Sequence, residues 1–250
     1  TAFQMPAGPA QLAVGVQKRD EMQRNTYSDL VLSGFGGFTG PARNALANRS
    51  IKSLYSEANL PLTKSLDLDV AARYEDYGAF KNTSPKAELN WKAIADRLSL
   101  RLSYGKSFQA PGIENSTASQ ISSGVTQVTD PLNGVSTFRT VITLGNPTLQ
   151  PQQAKAYNLG VTFLPVPSVM LSLDYWDYKY DNRIQTQNAQ AVINAAPNGP
   201  DVIRDSTGVA QTVIVRTFNA PSGTRTSGVD FNFNWSRDAL GGKLSVRDTF

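Results

Sequence analysis

Leu98-Ser99-Leu100-Arg101-Leu102-Ser103-Tyr104-Gly105-Lys106-Ser107-Phe108-Gln109-Ala110-Pro111 is the stretch on which the fold turns. Leu98, Leu100, Leu102 and Tyr104 alternate with Ser99, Arg101, Ser103 and Gly105. Successive side chains of a strand point to opposite faces, so this segment has one apolar and one polar face. Pro111 has no N–H to give to a ladder and suits the point where a strand stops pairing and a loop departs.

The same period of two recurs along the chain. Leu66, Leu68, Val70, Ala72 and Tyr74 alternate with Asp67, Asp69, Ala71, Arg73 and Glu75. Tyr157, Leu159, Val161 and Phe163 repeat the pattern, as do Val229, Phe231, Phe233 and Trp235. With weaker versions elsewhere, the reading predicts nine strands, near 10–24, 48–61, 66–77, 84–93, 98–109, 155–164, 169–183, 223–236 and 243–250. Thr212-Val213-Ile214-Val215 is expected in a hairpin within a loop, and a short helical turn around Ala189–Val192. Strands with one wet face belong to an antiparallel sheet.

The predicted connections alternate in kind. Short turns fall at 62–65, 93–96, 165–167 and 238–242, each after an even-numbered strand, so all four lie at one end. The loops at 25–47, 112–154 and 185–211 are long and lie at the other end, with a short one at 78–83. Short turns at one end and long loops at the other follow the plan of an outer-membrane barrel, and strands of this length can cross a bilayer when tilted. Tyr74, Tyr77, Tyr104, Phe108, Tyr175, Trp176, Tyr178 and Tyr180 lie toward the loop end. Trp91, Phe163 and Trp235 lie toward the turns, and two such groups would serve as aromatic girdles. Alternation also fits a soluble sandwich or barrel whose aromatics are core.

Composition removes several chemistries. The 250 residues contain no Cys and no His, which excludes a disulfide framework, a thiolate nucleophile, a Ser-His-Asp triad and His- or Cys-bound metal. The net charge of +4 comes from bases spread along the chain, which gives no nucleic-acid footprint. Glu75 and Asp76 are neighbours on a strand and face opposite ways; Asp174, Asp177 and Asp181 suit a wet lumen or rim better than a catalytic pair. Gly34–Gly40 is glycine-rich but lacks the Gly-Lys-Ser/Thr of a phosphate cradle. No enzyme, cofactor or metal site is expected. Thr1 is neither an initiator Met nor the start of a signal peptide, and residues 243–250 stop inside a strand pattern, so the chain reads as a piece of something longer.

Three segments resemble the barrel portion of TonB-dependent outer-membrane receptors. Leu100–Pro111 is similar to the family's strand ending in Phe-Arg-Ala-Pro, through Phe108, Ala110 and Pro111, with Gln109 where Arg is usual. Gly145-Asn146-Pro147-Thr148-Leu149-Gln150-Pro151-Gln152 is similar to Gly-Asn-Pro-x-Leu-x-Pro-Glu, with Gln152 in place of Glu. Ala156–Val161, the Pro165-Val166-Pro167 turn and Leu171–Trp176 then lead to Arg183-Ile184 in the family's order, and Gly228 falls in Thr226-Ser227-Gly228-Val229-Asp230. The resemblance covers nearly the whole chain.

It implies an all-β fold: an antiparallel up-and-down transmembrane β-barrel, of which residues 1–250 supply about nine strands of a larger plugged barrel of roughly 22. The plug would lie outside this chain. The implied role is uptake of a scarce nutrient (siderophore, saccharide, cobalamin or similar) across the bacterial outer membrane, with energy from TonB acting through the plug. Outer-membrane lipid is the other implied partner. The rivals are a passive porin or autotransporter-type barrel and a soluble all-β binding module. The polar rows, including Asp67, Asp69, Arg73, Arg101 and Asp230, are expected to line the lumen. Phe35, Phe38 and Phe138 are the candidates for ligand contact. Phe108, Ala110, Pro111, Gly145, Asn146, Pro147, Pro151, Arg183 and Gly228 are expected to shape the rim.

Overall fold

The structure, a computed structural model, describes residues 3–34, 40, 42–239 and 241–250. A small hairpin of β1 (Gln4–Met5) and β2 (Gly8–Pro9) precedes the wall. The wall is a nine-stranded antiparallel sheet. It runs in space as β3 (Gln11–Asn25), β4 (Ala45–Thr63), β5 (Leu66–Asp76), β6 (Lys81–Ile94) and β7 (Leu98–Gln109). It continues as β10 (Gln152–Val166), β11 (Val169–Asp181), β15 (Thr224–Ala239) and β16 (Gly242–Thr249). Every neighbouring pair is antiparallel, so the sheet is an up-and-down meander. All nine predicted strands are present, with ends moved by up to three residues.

Register turns the alternation of single strands into continuous rows. Leu60, Leu68, Leu89, Leu102, Leu159, Tyr175 and Val229 lie opposite one another in turn across seven strands. One row nearer the short turns run Leu66, Trp91, Leu100, Val161, Leu173 and Phe231. Leu102, Leu159, Tyr175 and Val229 remain 41–58% exposed. These rows lie uncovered on one face of the sheet, where a soluble sandwich would bury them in a core. The edge strand β16 places Asp248 on this same face, opposite Phe233.

The other face is polar. Asn59, Asp69, Glu88, Ser103 and Asn158 form one row, and Asp67, Asn90, Arg101, Gly160, Asp174 and Asp230 the next. Trp176, Tyr178 and Tyr180, expected in the girdle, share the parity of Asp174 and take the polar face. On the apolar face at the loop end the aromatic residues are instead Tyr74, Tyr104, Tyr157 and Tyr175, with the Tyr104 and Tyr157 rings 5.0 Å apart.

The loops fold as well. After β7 comes a single 3₁₀ turn at Glu114–Ser116, then β8 (Gln120–Thr129) and β9 (Ser136–Leu144), an antiparallel pair inside the predicted loop 112–154. After β11 come β12 (Ile184–Thr186), β13 (Val202–Arg204) and β14 (Ala210–Asn219). The expected pairing of Thr212–Val215 within its own loop is the contact of β14 with β13. The same stretch also pairs parallel with β9, Thr140 opposite Thr212 through Leu144 opposite Arg216.

Among the described residues there are two α-helices, α1 (Asp29–Leu32) and α2 (Ala189–Ala195). Helix α2 is capped by Asn188, whose side-chain oxygen accepts from the Ala191 N–H at 3.0 Å. Its Ile193 is fully buried with Val128, Val202, Ala210, Val213 and Val215, a compact apolar core inside the loop region.

Candidate functional site

The loop end of the sheet is the candidate site, and its frame is made by the segments singled out in the sequence. At the end of β7, Phe108 meets Tyr77 edge to face (5.8 Å between ring centres), and Tyr77 stacks on Phe80 at 4.7 Å. Ala110 is half-buried and Pro111 fully buried, and the Pro111 carbonyl accepts a 2.7 Å hydrogen bond from Arg49. The same guanidinium binds Glu21 at 2.8 Å and lies 5.1 Å over the Tyr77 ring. One arginine on β4 thus ties the exit of β7 to β3.

Gly145 is buried where the chain returns from β9. Its N–H donates to the Ser119 carbonyl at 3.0 Å, and the next N–H, of Asn146, donates to the Asn115 carbonyl at 2.7 Å. A Cβ on Gly145 would collide with the backbone carbonyls of Thr117, Glu114 and Asn115, so only glycine fits this crossing. Asn146 closes an Asx turn, accepting from the Thr148 N–H at 2.9 Å, while its amide donates to the Thr217 carbonyl at 3.1 Å. Pro147 is exposed, and Leu149 and Pro151 are buried.

Asn219 plays the reciprocal part: it accepts from the Gln150 N–H at 2.8 Å and donates to the carbonyls of Gln150 and Asn182, at 2.9 and 2.8 Å. Asn219 is not among the residues singled out in the sequence. Asn followed by Ala-Pro where a loop rejoins a strand was the available signal. Arg183 is exposed; it donates to Thr224 at 3.1 Å, and its carbonyl accepts from Ala220 at 2.7 Å. Of the motif residues, Gly145, Asn146 and Arg183 lie along a seam joining the loop sheet to the wall, Phe108, Ala110 and Pro111 close the end of β7, and Gly228 lies in the wall on β15.

The candidates for ligand contact are placed differently. Phe138 lies on β9 and is 60% exposed. Phe35 and Phe38 lie outside the described residues. A hollow of about 440 Å³ at the loop end is lined by Tyr27, Val31, Gly40, Arg43, Ile121 and Ser123 among others.

Below the rim the polar face is cross-linked. Arg101 and Asp174 pair at 2.6 Å, Asn59 donates to Asp69 at 2.8 Å, and Arg73 reaches Gln17 at 2.7 Å and Glu75 at 3.1 Å. Trp176 donates to Asp230 at 3.0 Å, its ring packed against Gly228, where a Cβ would strike the indole. Glu75 faces Arg73 on this side, whereas Asp76 pairs with Lys81 at the rim of the other, so the two carboxylates do not converge.

Above the wall, Asp130 in the β8–β9 turn is buried against Arg204, which grips it with bonds of 2.6 and 3.0 Å. That grip holds the Asp130 carboxyl down at about 2. Asp205, in the turn after β13, is likewise held at about 2, first by the Thr207 hydroxyl and then by the Val209 N–H. Both act as structural anions. Among the described residues no group of three or more Asp or Glu side chains comes together as a metal cage.

A family model described as "TonB dependent receptor-like, beta-barrel" matches residues 3–250. A comparison with curated proteins found no match. Among solved structures, the siderophore receptor PirA of Acinetobacter baumannii is similar at 20% identity, covering 93% of this chain and 32% of its own, with a TM-score of 0.64. A variant of the ferric enterobactin receptor of Pseudomonas aeruginosa, in complex with enterobactin, gives 19% identity, 96% and 33% coverage, and a TM-score of 0.70. The hemophore receptor HasR of Serratia marcescens, with its hemophore and heme, gives 16%, 96%, 42% and 0.55. The chain spans about a third of the length of the first two, and identities this low speak to the fold.

Proposed function

Because the chain belongs to the TonB-dependent receptor-like β-barrel family, we propose that residues 1–250 form part of the barrel of an outer-membrane receptor. That receptor takes up a scarce nutrient of the siderophore, saccharide or cobalamin kind. The family implies the outer membrane, and the finer reading puts the apolar rows against lipid and the loop end outside the cell. The single observation that carries it is the two-faced wall: unbroken apolar rows on one side, cross-linked polar rows on the other, and all the folded loops at one end. The chain contributes wall, lumen lining and ligand-catching loops. TonB acts through a plug, which is not among the residues matched as barrel. Supporting a receptor rather than an enzyme, the buried carboxylates are consumed by structural ion pairs.

Transport is tested with the full-length receptor in cells with and without TonB, using a panel of radiolabelled ferric siderophores, cobalamin and oligosaccharides. A receptor binds its nutrient in both strains and accumulates it only with TonB. Equal accumulation in both strains would replace this reading with a passive porin. Orientation is tested separately with Leu68→Cys and Asp69→Cys. A membrane-impermeant thiol reagent should label the second and spare the first, and the opposite result would reverse the assignment of faces.

A further inference from the structure

Both Asn-Gly dipeptides of the chain, Asn133-Gly134 and Asn198-Gly199, lie in the loop region, the first in the β8–β9 turn and the second between α2 and β13. Glycine puts no Cβ beside its nitrogen, so that nitrogen can reach the side-chain amide of the residue before it. Both asparagines are exposed, and both turns hang from Arg204, which grips Asp130 at the first and the Pro197 carbonyl at the second. Each glycine N–H also has the same kind of partner. Gly134 donates to the Asp130 carbonyl at 2.8 Å, and Gly199 to the Ala196 carbonyl at 2.9 Å.

The residue after the glycine sets the two apart. The Val135 N–H donates to Asn133 Oδ1 at 2.9 Å. The ring closed by that bond contains both the Asn133 Cγ and the Gly134 nitrogen, which keeps them near each other. The bond also draws electron density from Cγ and sits where charge would build on Oδ1 during an attack. At the second dipeptide this place is taken by Pro200, which has no N–H to give.

We propose that Asn133 is a site of self-modification, in which the Gly134 nitrogen attacks the Asn133 Cγ and converts the asparagine to aspartate and isoaspartate in preference to Asn198. Solvent base takes the Gly134 proton, the N–Cγ bond forms, and the Cγ–Nδ2 bond breaks to release ammonia. The product is a cyclic imide. Water opens it at Cγ to give aspartate, or at the Asn133 main-chain carbonyl to give isoaspartate, whose backbone runs through Cγ. No electrons are transferred, and water is the only co-reactant. Either product adds a negative charge at the tip of the loop sheet, in the same turn as Asp130. Isoaspartate also lengthens the main chain by a methylene group between Asp130 and Val135, whose 2.9 Å backbone bond closes that turn.

The full-length receptor is incubated at mildly alkaline pH in water carrying heavy oxygen, so that only conversions during the incubation are labelled. Peptide mass spectrometry with electron-transfer fragmentation then counts labelled aspartate and isoaspartate at both positions, with Asn198 as the internal clock. One net hydrogen bond corresponds to about fivefold, so Asn133 should convert about fivefold faster than Asn198 in the folded protein. The two should convert alike once the chain is unfolded in guanidinium. Equal conversion in the folded protein, or faster conversion of Asn198, overturns the proposal. The same preference in the unfolded chain overturns it as well, since the turn would then play no part.

Val135→Pro removes the donor N–H and Val135→Ala keeps it, so the preference should vanish in the first and persist in the second. A preference that survives in Val135→Pro, with the Gly134 amide still protected from hydrogen exchange, overturns the assignment of the donor. Where that protection is lost because the turn has opened, Pro200→Ala carries the test. An N–H supplied behind Gly199 should raise conversion of Asn198 about fivefold, and an unchanged Asn198 overturns the assignment.

Discussion

Arg204→Met removes the fastener of the loop region. Arg204 donates to both Asp130 oxygens (2.6 and 3.0 Å), to the Pro197 carbonyl (3.0 and 2.9 Å) and to the Gly208 carbonyl at 2.7 Å. It thereby joins the β8–β9 turn, the segment after α2 and the turn after β13. The side chains are 13% and 3% exposed, so the methionine would leave a carboxylate in a nearly dry site. Removing one partner of such a pair costs about 3–5 kcal/mol. At about 1.4 kcal/mol per decade, hydrogen exchange in β8, β9 and β14 should accelerate by about two to three and a half orders of magnitude at pH 7, with the wall strands unchanged.

The same pair sets a pH dependence. The folded-state value of Asp130, about 2, lies below its ordinary 3.8, so the ion pair's contribution is present above about pH 4 and is lost as pH falls through about 2. The difference corresponds to roughly 2.5 kcal/mol. Between pH 5 and pH 2.5 the wild-type loop sheet should therefore lose protection, after correction for intrinsic exchange, and the gap between wild type and Arg204→Met should narrow. Equal protection of the two proteins at pH 7 would refute the reasoning.

Three further outcomes are expected. Gly145→Ala, which drives a methyl into three backbone carbonyls, should break the bonds from Gly145 and Asn146 to the preceding loop; limited proteolysis should then cut at 112–120 while wild type stays intact. Gly228→Val should lift the Trp176 indole from the backbone and break its bond to Asp230, which a red shift in the fluorescence difference against Trp176→Phe would report. Ile193→Ala leaves a cavity in the fully buried loop core at a cost of about 2–5 kcal/mol, measured as faster exchange in α2 and β14; unaltered exchange would mean that this core does not hold the loops.

The wall was legible because each of its strands has one wet and one apolar face, and a period of two records that directly. Leu98–Tyr104 and Val229–Trp235 are read correctly without any knowledge of their neighbours. The loop sheet was not legible, for a physical reason. Val213 and Val215 are buried while Ile214 between them is half-buried, so β14 lacks a clean polar face, and β9 (Ser-Thr-Phe-Arg-Thr-Val-Ile-Thr-Leu) hides its period in threonines. Their parallel pairing joins segments about 70 residues apart, which no local pattern encodes.

The seam was half legible. Gly145, Asn146 and Pro111 announce turns through their backbone chemistry. That Arg49 reaches Pro111, or that Asn219 answers Gln150, depends on strands brought together only by the finished sheet. Trp176, Tyr178 and Tyr180 were misplaced by counting aromatics near a strand end without following their parity.

The parallel pairing of β9 with β14 carries a lesson for inheritance. Two excursions of the chain, at 112–151 and 184–221, share one hydrogen-bonded sheet and one apolar core, so neither is an independent module. A recombination that replaced only the first would strip β14 of its β9 partner and remove Val128 from against Val213 and Val215. Sequence variation in this loop region is therefore expected to arrive in coupled sets of substitutions spanning both excursions. A graft of this region must carry the pair.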